Sequence, residues 1–447
     1  MDTGAPSLDL LTSIGRSQAA AHHFLMHQAS LAPNARNTPG GNLSRTQARS
    51  SDKAAASRAR PSVAIAGGGL VGNACAYFLA RAGCGVTLIE RVGIAAAASG
   101  KAGGFLAGGW GDGSPTQPLH RRSFELHEQL ARELHVTSYR KIPTMSVSLG
   151  RSLNGEPPVA SWLDGDIHRC ALMDPNTAQV TPGELCNKLH AAALEDGAKS
   201  IVGEVVNVVF TDDSEMKVKG LIYKADGETH VAEADNVVIA MGPWSTRAGE
   251  WFGIDIPLTG IKSTSIVYEG SKAMLDEPAA LFCDEDANGC HMEVYPRPDA
   301  SVYVCGAGGS DYVNEARLLP GGDCDRADAI QADPSRVSAA MSSFGTLTRS
   351  VGGDGKKPII TQACMRPCAP DSLPMIGPIT GVEGAYLACA HNCWGILWSP
   401  VTGEIISQLI TEGKSDIDIK PFLPTRFMQT RRRRGRKMHE RDVGEQW

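Results

Sequence analysis

Val63-Ala64-Ile65-Ala66-Gly67-Gly68-Gly69-Leu70-Val71-Gly72, closed by Val86-Thr87-Leu88-Ile89-Glu90, decides the fold of this chain. The order is strand, glycine turn, helix, strand, acid. Val63 to Ala66 is a short apolar run of the kind buried in a parallel sheet. Gly67, Gly69 and Gly72 form G-x-G-x-x-G. The first glycine permits the tight turn, the second admits a pyrophosphate to the backbone, and the third lets the helix lie close to the strand. Leu70 and Val71 stand between the second and third glycines, beside the same phosphates. Ala74 to Arg81 continues in helical spacing until Gly83 and Gly85. Glu90 falls 23 residues after Gly67, where a carboxylate reaches the ribose hydroxyls, and Arg91 follows it at the same edge. A G-x-G-x-x-G alone says little. All five parts in register specify a dinucleotide site.

The chain has 447 residues, enough for two domains or one large α/β unit with a cap. Its 42% hydrophobic and 21% charged content is that of an ordinary globular protein. The net charge of −6 is unevenly spread. Residues 1–60 hold seven Lys/Arg against three Asp/Glu, and residues 426–447 hold eight against three. The middle of the chain therefore carries −15. An acidic body argues against nucleic acid as the main ligand. Pro61 to Ala80 and Gly384 to Gly403 are uncharged, but the glycine turn interrupts the first, and His391, Asn392 and Pro400 the second. No transmembrane helix is expected. Twelve scattered cysteines form no secreted framework, so reduced thiols in the cytoplasm are expected.

Leu10 to Ser51 contains no acid and carries Arg16, Arg36, Arg45 and Arg49. Residues 1–60 thus read as a disordered leader or as a mitochondrial or plastid transit segment. The run Arg431-Arg432-Arg433-Arg434-Gly435-Arg436-Lys437 marks residues 426–447 as a basic disordered tail, with a nuclear signal or anionic-surface patch as the other reading. Between them, Leu119–Leu134 reads as an amphipathic helix and Thr181-Pro182-Gly183-Glu184 opens another that runs to about Glu195. Val237 to Trp244 is a buried strand ending in the Gly242 turn. Ile256 to Val267, His291 to Tyr295 and Val302 to Gly306 alternate like antiparallel strands. Helices are predicted over Asp323–Phe344 and from about Ser399 to Glu412.

Three stretches resemble the FAD-dependent oxidoreductases of the D-amino-acid oxidase, glycine oxidase and sarcosine oxidase family. They are Gly67 to Glu90, Ala240-x-Gly242-Pro243-Trp244, and Cys364-Met365-Arg366-Pro367-x-x-Pro370-Asp371-x-x-Pro374-x-Ile376-Gly377 with Ala390-His391-Asn392-x-Trp394-Gly395. The likeness covers roughly residues 61–425. It implies FAD as cofactor and an α/β fold. A Rossmann-like FAD-binding domain would be discontinuous, from 61–140, 175–250 and 359–425. A β-rich α+β substrate-binding cap would come from 141–174 and 251–358. It also implies oxidation of a C–N bond in a small amine or amino acid by hydride transfer to the flavin. A flavin-binding adaptor without turnover and a nicotinamide dehydrogenase are the rival readings.

The resemblance assigns candidate roles residue by residue. Arg366 stands where amino-acid oxidising members hold the substrate carboxylate, for which a guanidinium's bidentate fork is suited; a structural ion pair is the alternative. Cys364 matches the position that bonds the flavin in monomeric sarcosine oxidases, or it is a buried thiol. His391 either meets substrate or a transferred proton, or is a hydrogen-bonded structural residue. Tyr295 lines the substrate site or simply packs. Gly395 and Ile396 begin the segment whose helix N-terminus would lie near the flavin ring and stabilise negative charge there. No metal is expected: Cys364-x3-Cys368 and Cys389-x3-Cys393 approach zinc-ribbon spacing, but the resemblance accounts for them.

Overall fold

A computed structural model describes residues 60–150, 160–211 and 216–427. Residues 1–59 of the expected leader and 428–447 of the basic tail lie outside them. Arg426, counted with that tail, instead pairs with Asp371 at 2.6 Å.

The quoted stretch folds as strand β1 (Ser62–Ala66), helix α1 (Leu70–Arg81) and strand β2 (Gly85–Glu90). β1 lies inside a six-stranded sheet, paired in parallel with β2 on one side and with Asn236–Ile239 on the other. Lys199–Val202 extends the sheet beyond β2, and Ala385–Cys389 with the antiparallel edge Met375–Pro378 extends it beyond Asn236–Ile239. Alternation decides what each face of β1 meets. Val63 and Ile65 join the core under α1, Pro182–Glu195 and the C-terminal helix Gly395–Glu412. Ala64 and Ala66 face the other core, covered by the antiparallel strands Glu204–Phe210, Val218–Ala225 and Glu228–Glu233. This is the mononucleotide-binding half of a doubly wound fold, so the mouth of the sheet lies past the carboxyl ends of its strands.

The second sheet has nine strands and is mostly antiparallel. Arg140–Leu149, Ile167–Gln179, Ala280–Cys283, Glu293–Pro296, Ser301–Cys305 and Thr259–Glu269 form its body. Ile360–Cys368, placed by sequence with the FAD-binding segments, pairs in full with Thr259–Val267 and so belongs to this sheet. Phe105–Ala107, also allotted to the FAD-binding side, pairs with Thr177–Gln179 at its far edge.

Two helices differ from expectation. Where a helix is expected over Asp323–Phe344, the α-helix begins only at Pro334 and runs on to Leu347, preceded by a single 3-10 turn at Ala327–Ala329. Asp333 stops it N-terminally: its carboxylate accepts from the Ser335 and Arg336 amides, and Pro334 fills the first position. The C-terminal helix begins at Gly395 rather than Ser399 and carries Pro400 in its interior. An interior proline costs about 3 kcal/mol, because it removes a donor and crowds the carbonyl four residues back. Here a neighbouring helix, Gln117–Glu133, replaces the lost bonds. Ser123 Oγ accepts from Val401 N at 3.2 Å and donates to Leu397 O, while His127 Nε2 lies 3.1 and 3.2 Å from Ile396 O and Leu397 O. At about 1 kcal/mol each, these bonds roughly offset the proline.

Candidate active site

A cavity of about 790 Å³ runs from the glycine turn to the inner face of the antiparallel sheet. At its first end the three glycines have distinct geometric reasons. Gly67 has φ +110°, and a Cβ there would stand 2.4 Å from Ala240 O. A Cβ on Gly72 would lie 1.9 Å from Gly67 O, so the third glycine admits the turn's own carbonyl. Gly69 is different: a Cβ would meet only Ser99 Oγ, at 3.1 Å, and would otherwise project into space. That cradle is what a pyrophosphate needs. Leu70 and Val71 line the cavity beside it.

Glu90 ties the two loops of this end together. Its Oε2 accepts from Gly68 N at 2.7 Å and its Oε1 from Val92 N at 2.8 Å. Oε1 takes a second, longer bond from Gly93 N at 3.4 Å, and Oε2 keeps acceptor capacity for a ribose hydroxyl. Arg91 lines the cavity but spends its charge on Glu204, at 2.7 Å, and Arg247 meets the same carboxylate at 3.0 Å. Burial alone would push Glu204 up, but Arg91 and Arg247 outweigh it and hold the carboxyl below its usual range. Gly242, at φ +56°, opens the turn Gly242–Arg247 on the opposite wall.

At the other end, strand alternation sorts the segment Ile360–Cys368. Ala363 and Met365 enter a small core with Val313 and Trp244. Cys364 and Arg366 belong to the opposite register and line the cavity. Burial works against the Arg366 charge. The thiols of Cys393 and Cys368 and the carboxylate of Glu293 outweigh it, and its pKa stays above the usual value. Burial pushes the Cys364 thiol up, with Arg366 and Lys101 pulling the other way. Aromatic rings wall this end: Phe105 lies 5.1 Å from both Trp110 and Phe282, and 5.7 Å from Tyr295 in a stacked pair. Gly395 and Ile396, in the first turn of the C-terminal helix, close the wall near Trp394.

Except for Gly72, which packs against the carbonyl of Gly67, the expected residues share one cavity, but their settings differ. His391 lines it and is nevertheless 2% exposed; its Nε2 lies 2.9 Å from Thr402 Oγ1, whose hydroxyl donates to Trp398 O. The histidine is therefore the donor in that pair. Burial lowers its pKa to about 3, so it is neutral at physiological pH and anchors the loop to the C-terminal helix. Tyr295 is 1% exposed and its hydroxyl donates to Glu293 Oε2. Sequence reasoning missed several participants. Ser99, whose hydroxyl accepts from Leu70 N at 2.7 Å, sits in the small-residue loop after Glu90. Glu204 and Arg247 carried no motif. Glu293, two residues before Tyr295, shares its face by period 2, and that signal was available. Among the described residues no cluster of His, Cys, Asp and Glu is arranged to hold a metal.

The family model described as FAD dependent oxidoreductase matches residues 62–409. The chain belongs to that family. This FAD-dependent oxidoreductase is 28% identical over 382 residues to an oxidoreductase of Schizosaccharomyces pombe, covering 78% of this chain and 94% of that one. It is 26% identical over 406 residues to the glycine oxidase of Geobacillus kaustophilus, covering 83% and 98%. Among solved structures, the glycine oxidase of Geobacillus kaustophilus superposes with a TM-score of 0.65 at 22% identity, over 83% of this chain and all of that one. The L-amino acid deaminase of Proteus myxofaciens superposes with a TM-score of 0.66 at 17% identity, over 83% and 94%. These likenesses show the fold. The Gly69 cradle, the Glu90 carboxylate and a cavity that runs on from them to Arg366 fit FAD, and the family match decides for FAD over a nicotinamide cofactor. No helix among the described residues is long and apolar enough to cross a membrane.

Proposed function

We propose that this FAD-dependent oxidoreductase oxidises the C–N bond of a small amine or amino acid, with Arg366 as the anchor of a substrate carboxylate. Arg366 carries the reading: a guanidinium held charged in an aromatic-walled chamber continuous with the cofactor cleft. Bound FAD supplies the ring that accepts the hydride from the carbon bearing nitrogen, giving an imine for water to hydrolyse. Gly69, Leu70, Val71, Ser99 and Glu90 hold the dinucleotide, and Gly242 leaves room on the facing wall. Arg366 fixes the carboxylate in bidentate fashion, which sets the α-carbon's position and so the reacting distance. The aromatic rings exclude water from that point. Tyr295 lines the chamber as support for Glu293, and neutral His391 positions the loop rather than exchanging protons. The positive end of the C-terminal helix, at Gly395 and Ile396, favours negative charge on the reduced ring. Relatives named glycine oxidase and L-amino acid deaminase support an amino-acid substrate. The free thiols among the described residues support the cytoplasm as the site of action.

Anaerobic mixing with a panel of amines and amino acids, read as bleaching of flavin absorbance, tests this. Arg366→Ala should keep FAD and slow or abolish bleaching by amino acids, since a hydrogen bond to a charged group contributes about 1.5–3 kcal/mol. Arg366→Lys should recover part of the rate, because an ammonium lacks the fork. Bleaching by Arg366→Ala at the wild-type rate would remove the carboxylate anchor from the scheme. A wild-type flavin that no amine bleaches would favour the adaptor reading.

A further inference from the structure

We propose that Glu293 selects substrates carrying a second, positively charged group some distance from the carboxylate on Arg366, as a basic amino acid does. The inference rests on the amino-acid reading above and adds the substrate class.

Glu293 is placed by the sheet. It lies opposite Phe282 on one neighbouring strand and Cys305 on the other, and Tyr295 follows two residues on along the same face. Its Oε2 accepts from Tyr295 Oη and from Cys305 Sγ, the latter at 3.6 Å. Both donors keep their protons, because burial pushes each well above its usual value. Both neutral donors fall on the same oxygen, which leaves the other for the cavity that Glu293 lines. They do not cancel its charge.

A charge in an aromatic-walled chamber needs an opposite one. Without substrate, Glu293 and Arg366 act on each other across the cavity. A substrate carboxylate on Arg366 takes up that guanidinium's field and leaves Glu293 uncompensated. The reacting amino group cannot restore the balance, because its nitrogen must be neutral to release a hydride from the adjacent carbon. A second cation on the substrate can. Its place follows from the strand order. The Arg366 strand pairs with Thr259–Glu269, then comes Ser301–Cys305, then the Glu293 strand. Three strand spacings of about 4.8 Å, together with a stagger of about four residues between Ile261 opposite Arg366 and the Ile266 level beside Glu293, keep the two backbones more than about 14 Å apart. Side chains converging from such separated strands suit a carboxylate and a side-chain cation, not two adjacent groups on one carbon. The rings of Phe105, Trp110, Phe282 and Trp394 offer faces to an organic cation in between.

The test uses the FAD-loaded full chain and two ligands without an oxidisable amine. They are 4-(trimethylammonio)butanoate and its uncharged isostere 5,5-dimethylhexanoate, titrated by the shift each causes in the flavin spectrum. Wild type should bind the cationic ligand at least about tenfold more tightly. Glu293→Gln should bring the two affinities together. Equal affinities in wild type, or a variant that retains the wild-type ratio, would overturn the inference. The wild-type comparison stands even where the variant folds poorly. Flavin bleaching by ornithine against norvaline keeps the two readings apart. A cationic preference in binding with no bleaching by any amine defeats the amino-acid oxidation reading alone. Bleaching by both amino acids with no cationic preference defeats the role of Glu293 alone.

Discussion

Lowering the pH from 7 to 5 should destabilise this protein through two histidines that brace the first turns of the C-terminal helix. His127 is 1% exposed and His391 2% exposed. Burial lowers their pKa values to about 4 and about 3, from an ordinary 6.5. Both are neutral when folded and gain a proton on unfolding once the pH falls below about 6.5. The unfolded state then binds more protons, so stability is full above that pH and is lost as the pH drops towards the folded values. At pH 5 the unfolded chain gains about 2 kcal/mol from each site, at 1.36 kcal/mol per pH unit. Together that is about 4 kcal/mol, a large share of a typical 5–15 kcal/mol. With an unfolding entropy of about 2.1 cal/mol/K per residue, the midpoint should fall by roughly 5 °C from these two groups.

The assay is thermal unfolding of the FAD-loaded protein between pH 7 and 5, by flavin fluorescence and by circular dichroism. The control is the double variant His127→Gln, His391→Gln. Glutamine offers an amide donor in place of Nε2–H but does not titrate. The variant should lose about 4 kcal/mol less than wild type over the interval, and wild type should shed FAD along with its stability. Identical pH dependence in the two proteins would refute the claim that these imidazoles are held neutral by burial.

Gly72→Ala should yield a poorly folded or colourless protein, because its methyl would stand 1.9 Å from Gly67 O; flavin absorbance per mole of chain measures it. Gly69→Val should instead fold and fail to load FAD, since the space there belongs to the pyrophosphate; normal circular dichroism with no yellow colour is the expected pair of results. Acid precipitation should give a white pellet and a yellow supernatant, with Cys364→Ala behaving alike; a yellow pellet that Cys364→Ala bleaches would show a bond from that thiol to the flavin.

The cofactor half was legible because its parts are local. Strand, glycine turn, helix and acid lie within Val63 to Glu90, and each has its own composition. The strands of the antiparallel sheet were legible by alternation, but their partners were not. Ile360–Cys368 reads as any short strand, and only its pairing with Thr259–Val267 shows which sheet it joins. His391 illustrates a second limit. Its place beside the cavity follows from the motif, whereas its neutrality depends on burial, and its hydrogen bond on Thr402, which lies in the interior of the next helix. Glu293 was hidden by emphasis rather than by physics: the alternation that made Tyr295 face the cavity applied equally to the residue two before it.

The sequence places the start of the last helix at about Ser399, four residues after the observed start, and Pro400 shows why a local pattern would miss the earlier one. Helix boundaries are read from local donors and acceptors, and by that rule a proline belongs in the first turn. The bonds that make an earlier start possible come from Ser123 and His127, more than 260 residues away. Those two residues stand four apart, so one face of Gln117–Glu133 presents both to the defect. The consequence reaches the site. With a start at Ser399, Gly395 and Ile396 would belong to a loop, and the positive end of the helix would move about one turn along the cavity wall. The pair that offsets the proline therefore also sets the helix terminus at the cavity wall, where the proposed scheme would put the negative charge of the reduced ring. Sequence and site are joined here by a contact that no local pattern records.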